Sequence, residues 1–215
     1  MKKKKYIWIC LIVCFLISVS GVSSQVQSAD KVPIGQVAMH LLGKARFEIG
    51  NGYNVGVFTF IEGIPFSQVF DPDYFLPPEK RAFFTWTAPW TADEVHGRIG
   101  ELYWYQSHPG YELCVWYDDS HNQDWDDHNT FGDGVLVAVF RIGRLQTLAG
   151  PIEHQYGRVM GSAELIKSFP FEIDGTKYDF FELLPGGITV SLFGYTPNFY
   201  AGSALAKESF KKIKD

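Results

Sequence analysis

Phe169-Pro170-Phe171-Glu172-Ile173-Asp174-Gly175-Thr176-Lys177-Tyr178 reads as two short extended runs joined by Asp-Gly. A two-residue hairpin loop of type I′ needs positive φ at both central positions, and Asp-Gly tolerates that. The stretch predicts a hairpin of Phe169–Ile173 against Thr176–Leu184, with Asp174-Gly175 at its tip. It sets the pattern for the chain.

Working outward, Gly, Pro and Asp/Asn pairs punctuate runs rich in Val, Ile, Phe, Tyr and Trp, which is strand composition. Ala45 to Ile49 and Asn54 to Glu62 flank Gly50-Asn51-Gly52. Arg81 to Ala88 is an aromatic strand ended by Pro89. Ile99 to Gln106 and Tyr111 to Asp118 flank Ser107-His108-Pro109-Gly110, which fits a four-residue hairpin loop. Gly134 to Ile142 is a β-branched run, and Leu184-Pro185-Gly186-Gly187 turns the chain into Ile188 to Phe193. Asp71-Pro72-Asp73 and Leu76-Pro77-Pro78-Glu79 predict a long surface loop over Pro65 to Lys80.

Two stretches read as helical. Thr91-Ala92-Asp93-Glu94 matches a capping box, with a short helix to Arg98. Ser203 to Lys214 places Ala206, Phe210 and Ile213 at helical spacing, with Lys211, Lys212 and Lys214 at the negative end of the helix dipole. The expected fold class is all-β: one antiparallel β-sandwich or barrel of about nine strands, residues 30–202. Residues 203–215 are expected as a short C-terminal helix packed on the same domain.

Residues 1–29 read differently. Lys2 to Lys5 precede an apolar run, Tyr6 to Val19, and a small, polar stretch, Ser20 to Gln25. This is the layout of a secretory signal peptide, and the apolar run falls short of the roughly 20 residues of a spanning helix. The expectation is a cleaved, secreted or periplasmic protein, with a retained N-terminal anchor as the alternative. The full chain carries 19 basic and 24 acidic residues. No acid precedes Asp30, so removing four lysines leaves fifteen basic residues and a net charge of −9. That balance disfavours a nucleic-acid partner and attraction to an anionic membrane. Cys10 and Cys14 leave with the signal. Cys114 remains alone within Glu-Leu-Cys-Val-Trp, a strand-like run where a buried, inert thiol is expected.

Unusual residues concentrate between Trp86 and Gly134. Trp86, Trp90, Trp104, Trp116 and Trp125 lie there, with Tyr103 and Tyr105 among them. Alternation along strands makes both faces of the expected 99–118 hairpin aromatic or apolar. Those residues are the candidate ligand contacts: a stacking platform for a glycan, or the wall of a site for an apolar small molecule. Asp118 to Asn129 holds five Asp, two His and two Asn. Oxygen ligands at alternate positions suit Ca²⁺, and Asp118, Asn122, Asp124, Asp126 and His128 are the candidate metal ligands. The EF-hand pattern fails, because Gly and the closing Glu are missing.

Other motifs carry little. Gly50-Asn51-Gly52-Tyr53-Asn54-Val55-Gly56 leads into a strand rather than a helix, so it is no dinucleotide loop. Gly-x-Ser-x-Gly and His-Glu-x-x-His are absent. Glu153-His154 sits in an expected loop, and Glu101 and Glu112 would face each other across the 99–118 hairpin as a glycosidase-like pair. The sequence therefore points to an exported domain that binds a glycan or apolar small ligand, with Ca²⁺ as a candidate ion. A secreted polysaccharide hydrolase and a surface interaction protein without a small ligand are the alternatives.

Overall fold

The computed structural model describes residues 30–48, 51–90, 94–100, 102–106, 109–150, 157–196 and 199–209. Its strands in chain order are β1 (Val37–Glu48), β2 (Asn51–Ile61), β3 (Phe84–Trp90), β4 (Glu94–Ile99), β5 (Leu102–Gln106), β6 (Glu112–Tyr117), β7 (Val135–Ile142), β8 (Gln146–Ala149), β9 (Gly157–Ser168), β10 (Phe171–Ile173), β11 (Thr176–Tyr178), β12 (Ile188–Thr196) and β13 (Phe199–Ala206). Single α-helical turns occur at α1 (Phe66–Val69) and α2 (Phe180–Leu183).

Eight strands form a closed antiparallel ring in the order β12-β13-β1-β2-β3-β6-β7-β9, and β9 returns to β12. Each ring neighbour follows the last along the chain, so the barrel is an up-and-down meander. Strands β8, β5 and β4 continue the same sheet beyond β9. β8 takes up the pairing with β9 that β7 leaves off: Ile142 faces Ala163, and Gln146 faces Met160. The β10–β11 hairpin and α2 lie between β9 and β12. The turn residues Asp174 and Gly175 have φ of 50° and 79°, the conformation a type I′ loop requires.

Strand alternation and burial assign the two faces. Phe58, Phe84, Trp86, Val115, Phe140, Ile188 and Ala204 belong to one buried core. Their strand neighbours Ser191, Ser203 and Arg141 lie outside it. This apolar-in, polar-out sense is the reverse of a lipid-embedded barrel. One interior row follows the pairing from Gly194 to Tyr200, Gly43, Gly56, Trp86 and Val115. The glycines there make room for the rings. A Cβ on Gly43 would come within 2.6 Å of the Trp86 ring and 2.8 Å of Tyr200. One on Gly56 would meet the Leu42 carbonyl at 2.2 Å.

The strands β1, β3, β7 and β12 begin at one end of the barrel, which is called the base here. Phe171, Tyr178, Phe180 and Leu183 plug it and join the interior core. Asp179 caps α2, accepting from the Phe181 N–H at 2.8 Å and from the Ser168 hydroxyl at 2.6 Å. The Val32 N–H donates to the Leu183 carbonyl, which ties the incoming chain to the same plug.

Five expectations change. The arm read over Thr176–Leu184 is a strand only to Tyr178, since Asp179 caps the helical turn of Phe180–Leu183. Ser203 to Ala206 belong to β13, not to a terminal helix. There Ala204 and Ala206 fill the interior while β1 and β12 pair with the backbone, and that ladder outweighs a helical spacing. Phe210 to Asp215 lie outside the described residues. Glu94 to Ile99 form β4 against β5, so the capping box does not start a helix through Arg98; residues 91–93 lie outside the description. Strands β5 and β6 are not partners: β5 pairs with β4 and β8, and β6 with β3 and β7. Finally, β3 runs through Pro89 to Trp90. Past Thr87 its recorded partner is β2 alone, which leaves room for a residue without an N–H.

Gly56→Ala is expected to lower stability by about 1–3 kcal/mol, because the added methyl forces backbone or ring displacement in a packed bore. Equilibrium urea unfolding measures this. Gly110→Ala, with open space around the missing Cβ but φ of 109°, provides the comparison for strain without a clash.

Candidate functional site

The expected aromatic residues divide among separate places. Trp86 lies inside the barrel, 3% exposed. Its indole tilts against Tyr200 at 6.1 Å between ring centres. Its Nε1 has no hydrogen-bond partner among the described residues. Buried indole N–H groups ordinarily find an acceptor, so this donor stands out. Burial also pushes the Tyr200 phenol well above the usual tyrosine range.

Trp116 points to the outer face, since it alternates with the interior Val115, and its Nε1 donates to the Thr87 hydroxyl at 3.1 Å. Trp125 is also outside. It packs on Phe131 at 4.9 Å and edge-on to Phe199 at 5.2 Å. Trp104, on β5, is opposite Leu148 of β8 and Gly97 of β4. For Trp90, Tyr103 and Tyr105 only the backbone is described, so their place at a ligand site lies outside the description. The aromatic residues of β5 and β6 are not carried by one hairpin, because those strands do not pair.

The expected facing of Glu101 and Glu112 rested on a β5–β6 hairpin, and those strands do not pair. Glu112 is opposite Arg141 on β7. Glu101, Glu153 and His154 lie outside the described residues.

The acidic loop is a cover for the barrel wall. From the base it folds over the outer face of β1, β2 and β3. Phe131 joins Val55, Val57, Phe70 and Ala82 in a second, smaller core, with Leu42, Tyr53 and Trp125 at its margin. The Thr85 hydroxyl, buried beneath it, donates to the Phe131 carbonyl at 2.8 Å. Lys44 donates to the Trp125 carbonyl at 2.8 Å and pairs with Asp126 at 3.2 Å. Tyr53 Oη and His128 Nδ1 are 2.7 Å apart.

The proposed metal ligands each have a local partner. Asp118 accepts from the Ser120 N–H and the Gln123 amide, both at 2.9 Å. The Asn122 amide donates to Asp133, and Asp124 accepts from the Asp126 N–H. Asp126 is on Lys44 and His128 on Tyr53. Among the described residues, no three His, Cys, Asp or Glu side chains converge as a metal group. The alternate acids of this run make loop turns and wall contacts. The wall contacts of Lys44, Tyr53 and Thr85 were not readable beforehand, for they join residues 75 to 82 positions apart or, for Thr85, 46.

Cys114 is a free thiol, half-buried on the outer face of β6. Burial pushes its pKa up, Glu112 adds to this, and Lys167 opposes it. Comparison with known protein families, with curated proteins and with solved structures finds no match to this chain.

Two outcomes are expected. Cys114 is alkylated by iodoacetamide more slowly at pH 8 than an unstructured cysteine peptide, as followed by peptide mapping, because its thiolate fraction is depressed. Tyr200 has a raised folded pKa, so the fold holds its neutral form. Its contribution is complete below the unfolded tyrosine value of about 10 and is lost as pH rises above that. Melting temperatures measured across that alkaline limb fall less steeply for Tyr200→Phe than for the parent.

Proposed function

We propose that this is an exported ligand-binding barrel that takes one small apolar molecule through the end opposite the base, against Trp86. Eight-stranded barrels of this kind have a bore that side chains can just fill or that holds one small ligand. Here the base is plugged by large apolar side chains. Gly43 and Gly56 let the wall lie close against the Trp86 and Tyr200 rings.

The observation that carries the reading is the Trp86 indole, whose buried N–H lacks an acceptor among the described residues. A ligand with an apolar body and one carboxylate, carbonyl or sulfonate oxygen would satisfy that donor. The aromatic faces would cover the body. An apolar small molecule is favoured over a glycan, since the interior beside Trp86 is lined by apolar side chains and glycine. Binding needs no catalytic carboxylates, whereas the hydrolase alternative needs two facing one cleft.

Fluorescence titration with 8-anilinonaphthalene-1-sulfonate, then displacement by dodecanoate, tests this. Saturable binding is expected in the parent protein. Trp86→Phe keeps an apolar ring and removes the N–H. It should weaken affinity about tenfold, the value of one charge-assisted hydrogen bond. Absence of saturable binding, or an unchanged affinity in a folded Trp86→Phe variant, would overturn the reading.

A further inference from the structure

Trp86 is not the only donor in the bore without a described partner. Tyr200 of β13 and Trp86 of β3 meet over Gly43 and Gly56, which stand between them in the interior row. Burial alone raises the Tyr200 phenol, and no described residue hydrogen-bonds its hydroxyl. The side chain is nevertheless only half-buried. An inward ring that is enclosed by protein and still keeps open surface borders space in the bore.

The two donors are turned toward one place. A Cβ on Gly43 would come within 2.6 Å of Trp86 Cζ2 and 2.9 Å of Tyr200 Cζ. Cζ2 is bonded to the carbon that carries the indole nitrogen, and Cζ carries the phenol hydroxyl. Gly43 is thus the floor of a notch between two donor-bearing ring edges. A side chain at that position would stand between them.

Charge narrows what the notch accepts. The described basic side chains of the ring strands, His40, Lys44, Arg141, Arg158 and Lys167, lie on the outer face. Asn54, which alternates inward with Gly56 on the side away from the base, is uncharged. A ligand oxygen beside Trp86 therefore meets neutral donors. A carboxylate could accept from them, but it would give up its water with no cation to offset that loss. A carbonyl oxygen also offers lone pairs to both donors, and it costs far less to bury.

We propose that Tyr200 is the second donor of the bore, and that Trp86 and Tyr200 select an uncharged carbonyl group on an apolar tail, as in a ketone or ester, over a carboxylate. This rests on the bore being a ligand site and narrows the class of ligand it takes.

Displacement of 8-anilinonaphthalene-1-sulfonate at pH 8 by 2-octanone, octanoate and octane compares three ends on similar tails. The ketone is expected to bind on the order of tenfold more tightly than octanoate. In Trp86→Phe and in Tyr200→Phe it should weaken roughly fivefold, the value of one neutral hydrogen bond, while octane is unchanged. Infrared difference spectroscopy of 2-octanone bound to the parent protein gives a readout that needs no variant. Its carbonyl stretch should lie near the position found in water, where the oxygen is hydrogen-bonded, and below that in hexane. Octanoate binding as tightly as the ketone, a ketone affinity unmoved in a folded Tyr200→Phe variant, or a stretch at the hexane position overturns the donor pair and leaves the bore a ligand site. Absence of saturable binding by any of these probes in the parent overturns both.

Discussion

Closure of the ring is the constraint from which the rest follows. β12 pairs with β9 on one side and β13 on the other, so no ring strand presents an open edge along that seam. An eight-stranded ring has a narrow bore, and every inward residue competes for it. Large and small residues must therefore be matched across neighbouring strands. Gly43 and Gly56 stand beside Trp86, and Gly202 stands where a Cβ would meet the Ser191 carbonyl at 2.1 Å. Without those glycines the wall could not approach the rings, and without the rings the bore would be void.

Closure also explains why the two ends differ. The base is sealed by β10, β11 and α2, which the chain inserts between the sixth and seventh strands of the ring. Its long connections are there as well. One of them, residues 118–133, returns along the wall and makes the second apolar core, which leaves its carboxylates for turns and for Lys44. Other connections keep their apolar side chains outward. The barrel thus has an interior whose Trp86 donor lacks a described partner, and an outer base rich in exposed aromatic residues.

The legible features were local ones. Asp174-Gly175 announces its own turn because the positive φ values are a property of two adjacent residues. Strand composition, the antiparallel pairing of β1 with β2 and the strand at Ile188 were readable in the same way, although Asn51 and Gly52, expected in the turn, belong to β2. The helix read at Ser203 shows the limit. That reading rested on Ala206, Phe210 and Ile213, whereas Ala204 and Ala206 alternate inward as on a strand, and only the partner strands on both sides choose. The hairpin read at residues 99–118 fails for a related reason. A loop of four residues permits pairing between its flanks but does not require it, and β4 and β8 compete successfully for β5.

For the candidate site the division is sharper. The sequence by itself determined that the chain folds as β-strands, that its tryptophans and acids are concentrated between residues 86 and 134, and that Cys114 is the lone thiol of the described chain. Those are matters of composition and of backbone preference over a few residues. Tertiary structure alone decided that Trp86 faces inward while Trp116 and Trp125 face outward, and that the acids serve a covering loop. Strand parity depends on register and bulges, and register is fixed by packing among residues far apart in the chain.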